Sequence, residues 1–132
     1  MYSDGACRGN PGPSGIGVVI FDAKGKVVHE IAEYIGVGTN NVAEYKALLA
    51  GLDYCVKQKL SPVEILADSQ LMIRQLTGEY KVKNEGIKVL YLHAQAHIRQ
   101  LKITGYKHVL REFNKHADQL ANDGIDNHNA RS

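Results

Sequence analysis

The 132-residue chain predicts an α/β fold, a mixed sheet flanked by helices. Residues 27–35 alternate with a period of two, apolar stripes at helical spacing begin at residue 42, and the second half alternates helices with short apolar β runs. A composition of 44% hydrophobic and 23% charged residues is that of one ordinary globular domain, not of a disordered chain.

Met1 to Ala6 reads as a short strand that runs into a Gly- and Pro-rich loop, Cys7 to Gly15, and Ile16 to Phe21 reads as the next strand. The turn Asp22-Ala23-Lys24-Gly25 leads into a strand from Val27 to Ile35 that pairs back as a hairpin, and Gly36 to Asn41 closes the meander. Asn41 is the expected N-cap of a helix from Val42 to about Gln58. Tyr45, Leu49, Leu52 and Val56 form its apolar stripe, and Lys46, Asp53 and Lys57 its polar face. Ser61-Pro62 breaks the pattern, and Val63 to Ala67 forms a β run ending at Asp68. Ser69 caps a helix through about Thr77, which Gly78 ends. A longer helix from about Asn84 to Arg99, a strand around Leu101 to Val109, a loop Arg111 to Asn114 and a helix from Lys115 to about Ile125 complete the domain. The expected organisation is one domain, 1–125, with a flexible C-terminal tail, 126–132. The early hairpins should be antiparallel and the helix-linked strands parallel.

A net charge of +2 is too mild to identify a polyanionic partner. Cys7 and Cys55 are only two and far apart, and no secretory leader is evident, so reduced thiols and a cytoplasmic setting are expected. No apolar run approaches the roughly 20 residues of a membrane helix. A monomer without an obligatory protein partner is expected.

Most of the fourteen Asp and Glu have ordinary roles: Asp22 in a turn, Asp53 on a polar helix face, Glu30, Glu33, Glu79 and Glu85 in solvent. Asp4, Glu44, Asp68 and Asp118 do not. Asp4 lies within the strand that the hairpin pairs with, where an unpaired buried charge costs several kcal/mol unless a cation compensates it. Glu44 borders the buried face of its helix, beside Leu48, Gly51 and Cys55; helix-dipole stabilisation is the competing role. Asp68 ends a strand where α/β folds place their sites, with capping left to Ser69. Asp118 comes early in the last helix, where the dipole alone would also favour it. Acids drawn from strand ends and helix faces suit hard divalent cations, which points to a metal-dependent phosphodiester-cleaving enzyme.

The four acids stand in DGACRGNPGPSGIG, TNNVAEYKALLAGL, LADSQLMIRQLTGEYKVKN and LREFNKHADQLAN, which together resemble the signature segments of type 1 ribonuclease H across nearly the whole chain. The resemblance implies a ribonuclease H-like fold with a five-stranded mixed sheet, and endonucleolytic cleavage of the RNA strand of an RNA/DNA hybrid to 5′-phosphate and 3′-hydroxyl products. It implies Asp4, Glu44, Asp68 and Asp118 as ligands of two Mg²⁺ or Mn²⁺ ions about 4 Å apart. Glu44 would also read the 2′-hydroxyl that separates RNA from DNA. Gly5, Cys7, Asn10, Asn40, Gln70 and Asn114 fall at substrate-contacting positions, and Thr39 and Asn41 are candidates for a phosphate clasp on the DNA strand, turn chemistry being their competing role.

Two departures stand out. Many members place a histidine on the loop before the last helix, where this chain has Arg111, as a related branch with an REFNK-like loop does. Arginine stays charged, so Arg111 can hold phosphate or aid product departure but not act as a base; His108 and His116 read as solvated or packing residues. Some relatives also insert a Lys-rich helix as a substrate handle, whereas Tyr80 to Arg99 leaves room for one connecting helix, with Lys81, Lys83 and Lys88 remaining. Only three residues precede Asp4, and extending that strand is expected to raise the melting temperature. A silent hybrid-binding module should have lost an acid, and a transposase- or integrase-like nuclease usually relies on three; all four are here.

Overall fold

The computed structural model describes residues 1–131. Five strands form one sheet in the order β3-β2-β1-β4-β5: β1 (Tyr2–Cys7), β2 (Gly12–Phe21), β3 (Val27–Gly38), β4 (Val63–Ala67) and β5 (Ile103–His108). β1–β2 and β2–β3 are antiparallel, β1–β4 and β4–β5 parallel, as the sequence pattern predicts. The helices are α1 (Asn40–Lys57), α2 (Gln70–Leu76), α3 (Glu85–Ile98) and α4 (Lys115–Arg131), with a 3₁₀ turn at Arg111–Phe113.

Alternation along β2 divides its side chains between two helical layers. Val18 and Ile20 join Tyr45, Leu48, Leu52, Ile65 and Met72 in the main core under α1. Gly15 and Gly17 turn the other way, under Ala121 and Ala117 of α4. A Cβ on Gly17 would lie 2.0 Å from the Ala117 carbonyl oxygen, and one on Gly15 2.2 Å from that of Ala121. Glycine facing alanine at i, i+4 on the helix therefore brings α4 almost onto the sheet. Gly5 does the same for α1, since its Cβ would stand 2.4 Å from the backbone of Ala43.

Several elements differ from the sequence expectation. β2 begins at Gly12, not Ile16, because Gly12 to Gly15 is laddered to β3 on one side and, from Ser14, to β1 on the other; pairing overrides the Gly/Pro composition. The N-cap of α1 is Thr39, whose Oγ1 accepts the Val42 N–H at 3.4 Å, so Asn41 lies inside the helix. Its buried face runs through Ala47, Leu48, Gly51, Leu52 and Cys55, while Leu49 and Val56 of the expected stripe are only half-buried. α4 continues past Ile125 to Arg131, into the segment expected to be a flexible tail: Asp126 pairs with Arg8 at 2.7 Å, and the His128 ring stacks on Tyr34 at 3.8 Å. Those long-range contacts are invisible in a polar terminal sequence. Ser132, the last residue of that expected tail, lies outside the described residues. No helix among the described residues is long and apolar enough to cross a membrane.

Gly17→Ala should lower the unfolding free energy by about 1–3 kcal/mol or more, the usual range for overpacking, because neither facing backbone can retreat. Gly105→Ala, whose nearest neighbour is the flexible Glu64 carboxylate at 3.6 Å, should be close to neutral. Urea denaturation of both variants checks the pair.

Candidate metal and nucleic-acid site

Asp4 sits in β1, the central strand, and is 4% exposed. Glu44, 9% exposed, lies in the second turn of α1, since the helix starts two residues earlier than its sequence suggests and has no acid in its first turn. The helix-dipole role therefore loses most of its force, because the effect fades beyond the first turn. Asp68 follows β4 directly, and Ser69 takes the capping duty, its Oγ accepting the Met72 N–H at 3.2 Å. One carboxylate oxygen from each of Asp4, Glu44 and Asp68 falls within 4.8 Å of the others. Asp118, in the first turn of α4, stays outside that tight trio but lines the same cleft, acting on Asp4 through a hydrogen bond and on Glu44 through its charge.

Crowding shows in the acidities. Burial first, and then the Glu44 and Asp68 charges, push Asp4 up to about 10. Burial pushes Glu44 up to about 7, with Asp68 and Asp118 adding to it while contact with Asp4 and the Gly5 N–H pull back. Among the described residues, the groups that act on these two acids are other acids and the Gly5 N–H. Glu44 Oε2 is buried and has no hydrogen-bond partner. Three converging hard oxygen donors fit a Mg²⁺ or Mn²⁺ ion, and Glu44 carries a buried oxygen without a hydrogen-bond partner.

The cleft over the acids, about 390 Å³, is also lined by Gly5, Cys7, Arg8, Asn40, Arg111 and Asn122. Arg111 thus shares the acids' cleft, and it is exposed. Asn10 accepts the Asn40 N–H at 3.2 Å through its side-chain oxygen, holding the β1–β2 loop against the start of α1. Thr39, Asn40 and Asn41 line a second depression with Asn10 and Asn84. Thr39 caps its helix, a role the sequence pattern gives to Asn41. Asn41 and Glu44 also border a neighbouring pocket with Lys81 and Lys83. Gln70 opens α2 and is exposed.

Asn114 is 1% exposed; its Nδ2 donates to the Ser3 carbonyl at 3.0 Å and to Asp68 Oδ2 at 3.3 Å, and its backbone carbonyl accepts the Asp118 N–H at 3.1 Å. One residue thereby ties the start of α4 to β1 and to the Asp68 carboxylate. Its spacing of four from Asp118 was the only available sequence signal. Sequence reasoning also missed Arg8 and Asn122 at the cleft. Arg8 Nη2 donates to Asn122 Oδ1 at 3.2 Å, a contact between residues 114 positions apart that no local pattern reports. His116 pairs with Glu30 and meets the Phe21 ring edge-on, and His108 is exposed at the end of β5, in keeping with structural or solvated roles.

A mixed five-stranded sheet with carboxylates gathered where β1 and β4 deliver them, under α1 and α4, defines the ribonuclease H-like class. A family profile described as reverse transcriptase-like matches residues 2–124. The chain is 45% identical over 127 residues to the bifunctional protein Rv2228c of Mycobacterium tuberculosis, covering 96% of this chain but 35% of that protein, so it spans about a third of the length of the mycobacterial relatives it matches. The crystal structure of RNase H1 from Halobacterium salinarum superposes with a TM-score of 0.91 at 37% identity, covering 96% of each chain. LC11-RNase H1, isolated from compost by a metagenomic approach and solved in complex with an RNA/DNA hybrid, gives a TM-score of 0.89 at 42% identity over 99% of this chain and 97% of that one. The chain belongs to the type 1 ribonuclease H family.

Because Asp4 and Glu44 hold protons more tightly folded than unfolded, the fold binds extra protons between the ordinary carboxylate range near 4 and the raised values of about 7 and about 10. Metal-free stability should therefore fall as pH rises across that window. Asp4→Asn should flatten the fall and raise the melting temperature in chelator at pH 8; an unchanged slope between pH 5 and 8 in thermal melts would argue against a crowded acidic cluster.

Proposed function

We propose that this protein is a metal-dependent endoribonuclease that hydrolyses the RNA strand of RNA/DNA hybrids. The observation that carries the proposal is the convergence of Asp4, Glu44 and Asp68 within 4.8 Å, with Glu44 Oε2 buried and unpartnered. Asp4, Glu44, Asp68 and Asp118 would hold two Mg²⁺ or Mn²⁺ ions. Bound there, the ions would supply an activated water and charge stabilisation for the leaving 3′ oxygen, so that the P–O3′ bond breaks to give 5′-phosphate and 3′-hydroxyl ends.

The chain's own groups provide position and discrimination. Glu44, which borders both the acidic cleft and the pocket holding Lys81 and Lys83, would accept from a ribose 2′-hydroxyl. Asn10, Asn40, Gln70 and the backbone at Gly5 and Cys7 border the path of the cut strand, and Asn41 offers an amide donor to the DNA strand, with Thr39 setting its helix start. Arg111 serves to hold a phosphate or draw the cleaved end away, since a guanidinium offers donors and no acceptor for a proton. Asn114 acts through Asp68 and α4 as a positioning residue. The hybrid bound by LC11-RNase H1 supports the substrate assignment.

The test is cleavage of an end-labelled RNA/DNA hybrid beside RNA/RNA, DNA/DNA and single-stranded RNA, with Mg²⁺, Mn²⁺ or EDTA, for wild type and Asp68→Asn. Metal-dependent cutting of only the hybrid's RNA strand, abolished in the variant, is expected. A folded protein that binds hybrid without cutting it under either metal would replace the enzyme with a silent binding module. With only Lys81, Lys83 and Lys88 in place of a basic helix, log affinity should also fall less steeply with log salt than in handle-bearing relatives, each phosphate left unneutralised lowering the slope by roughly 0.7–0.9.

A further inference from the structure

Arg8 and Arg111 are the two cations that line the acidic cleft. Arg111 has no ion pair among those formed by the described residues, whereas Arg8 is held: Nη1 donates to Asp126 Oδ1 at 2.7 Å and Nη2 to Asn122 Oδ1 at 3.2 Å, both on α4. Asp126 lies two helical turns beyond Asp118 and is not among the cleft-lining residues, so this acid has no part in the metal cluster. The Arg8 and Asp126 side chains are 42% and 59% exposed, and a pair so open to water is weak and easily exchanged. A phosphodiester presents the same two-oxygen geometry to a guanidinium as a carboxylate does. Arg8 also sits in the tip between β1 and β2, immediately after Cys7, at the mouth of the cleft.

We propose that Arg8 is a substrate-binding residue whose guanidinium exchanges the Asp126 carboxylate for a backbone phosphate of the strand lying over the acids, Asp126 acting as its resting counter-ion. The inference rests on the hybrid-cleaving function proposed above and adds to it a phosphate ligand and that ligand's competitor. The two halves of the pair then have opposite effects on substrate. Removing Arg8 takes away a phosphate ligand; removing the Asp126 charge frees that ligand for the substrate. A purely structural latch between the β1–β2 tip and α4 would behave otherwise, because breaking it from either side would do the same damage.

The experiment measures binding of a fluorescent RNA/DNA hybrid in Ca²⁺, and steady-state cleavage in Mg²⁺, for wild type, Arg8→Gln, Arg8→Lys, Asp126→Asn and the double variant, across a salt series. Wild-type binding and cutting establish the underlying reading first; if wild type does neither, that reading fails and Arg8 is not what was tested. With wild type active, Arg8→Gln should weaken hybrid binding about three- to tenfold and reduce the salt slope by roughly one phosphate's worth, mainly through KM. Arg8→Lys should keep the slope while binding somewhat more weakly. Asp126→Asn should tighten binding about two- to threefold, and this tightening should vanish in the double variant. Weakening by both single variants to a similar degree, with lowered melting temperatures and an unchanged salt slope, would overturn the proposal in favour of a latch, and no effect from Arg8→Gln would overturn it outright.

Discussion

Everything at this site depends on like charges being forced together. β1 carries Asp4 in the middle of the sheet, and two helices close over it because Gly5 and Gly17 have no side chains to keep them away. α1 thereby delivers Glu44 and α4 delivers Asp118, while the parallel pairing of β1 with β4 places Asp68 beside them. Burial and neighbouring carboxylates raise the acidities of Asp4 and Glu44, and Glu44 Oε2 has no hydrogen-bond partner. A fold that stores repulsion in this way is stabilised by whatever supplies positive charge at that point.

Rigidity around the acids comes from groups that do no chemistry. Asn114 links β1, Asp68 and the first turn of α4, so three of the four carboxylates are referred to one buried residue. Ser69 caps the helix that follows Asp68 and Thr39 the helix that carries Glu44, each leaving the nearby acid free of capping duty. On the far side of α4, the His116–Glu30 pair and the Tyr34–His128 stack fasten the helix to β3, the edge strand. The cleft is thus built on a frame whose fixed points lie outside it.

Much of this was legible in the sequence. The period-two run at 27–35, the strand ending at Asp68 and the Ser69 cap are local patterns, and local patterns suffice for sheet order once hairpins and crossovers are assigned. The four acids stood out because each broke its local pattern. What the sequence hid was governed by distant partners. Gly12 to Gly15 became strand because two neighbours pair with it, α4 kept its last turns because Arg8 and Tyr34 reach them, and Asn114 turned inward because Ser3 and Asp68 offer it acceptors. Gly15 reads as part of a loop and Gly5 and Gly17 as strand residues, but their purpose emerges only when helix backbones are seen against them.

The central claim is that Asp4, Glu44 and Asp68 form a divalent-metal site whose unsatisfied oxygen belongs to the ion. Calorimetric titration of Mn²⁺ into the wild-type protein and into Glu44→Gln, both shown to be folded, tests it most directly. Saturable binding in the wild type that disappears in the variant is the predicted result; equal binding by the two proteins, or none by the wild type even with hybrid present, would contradict it.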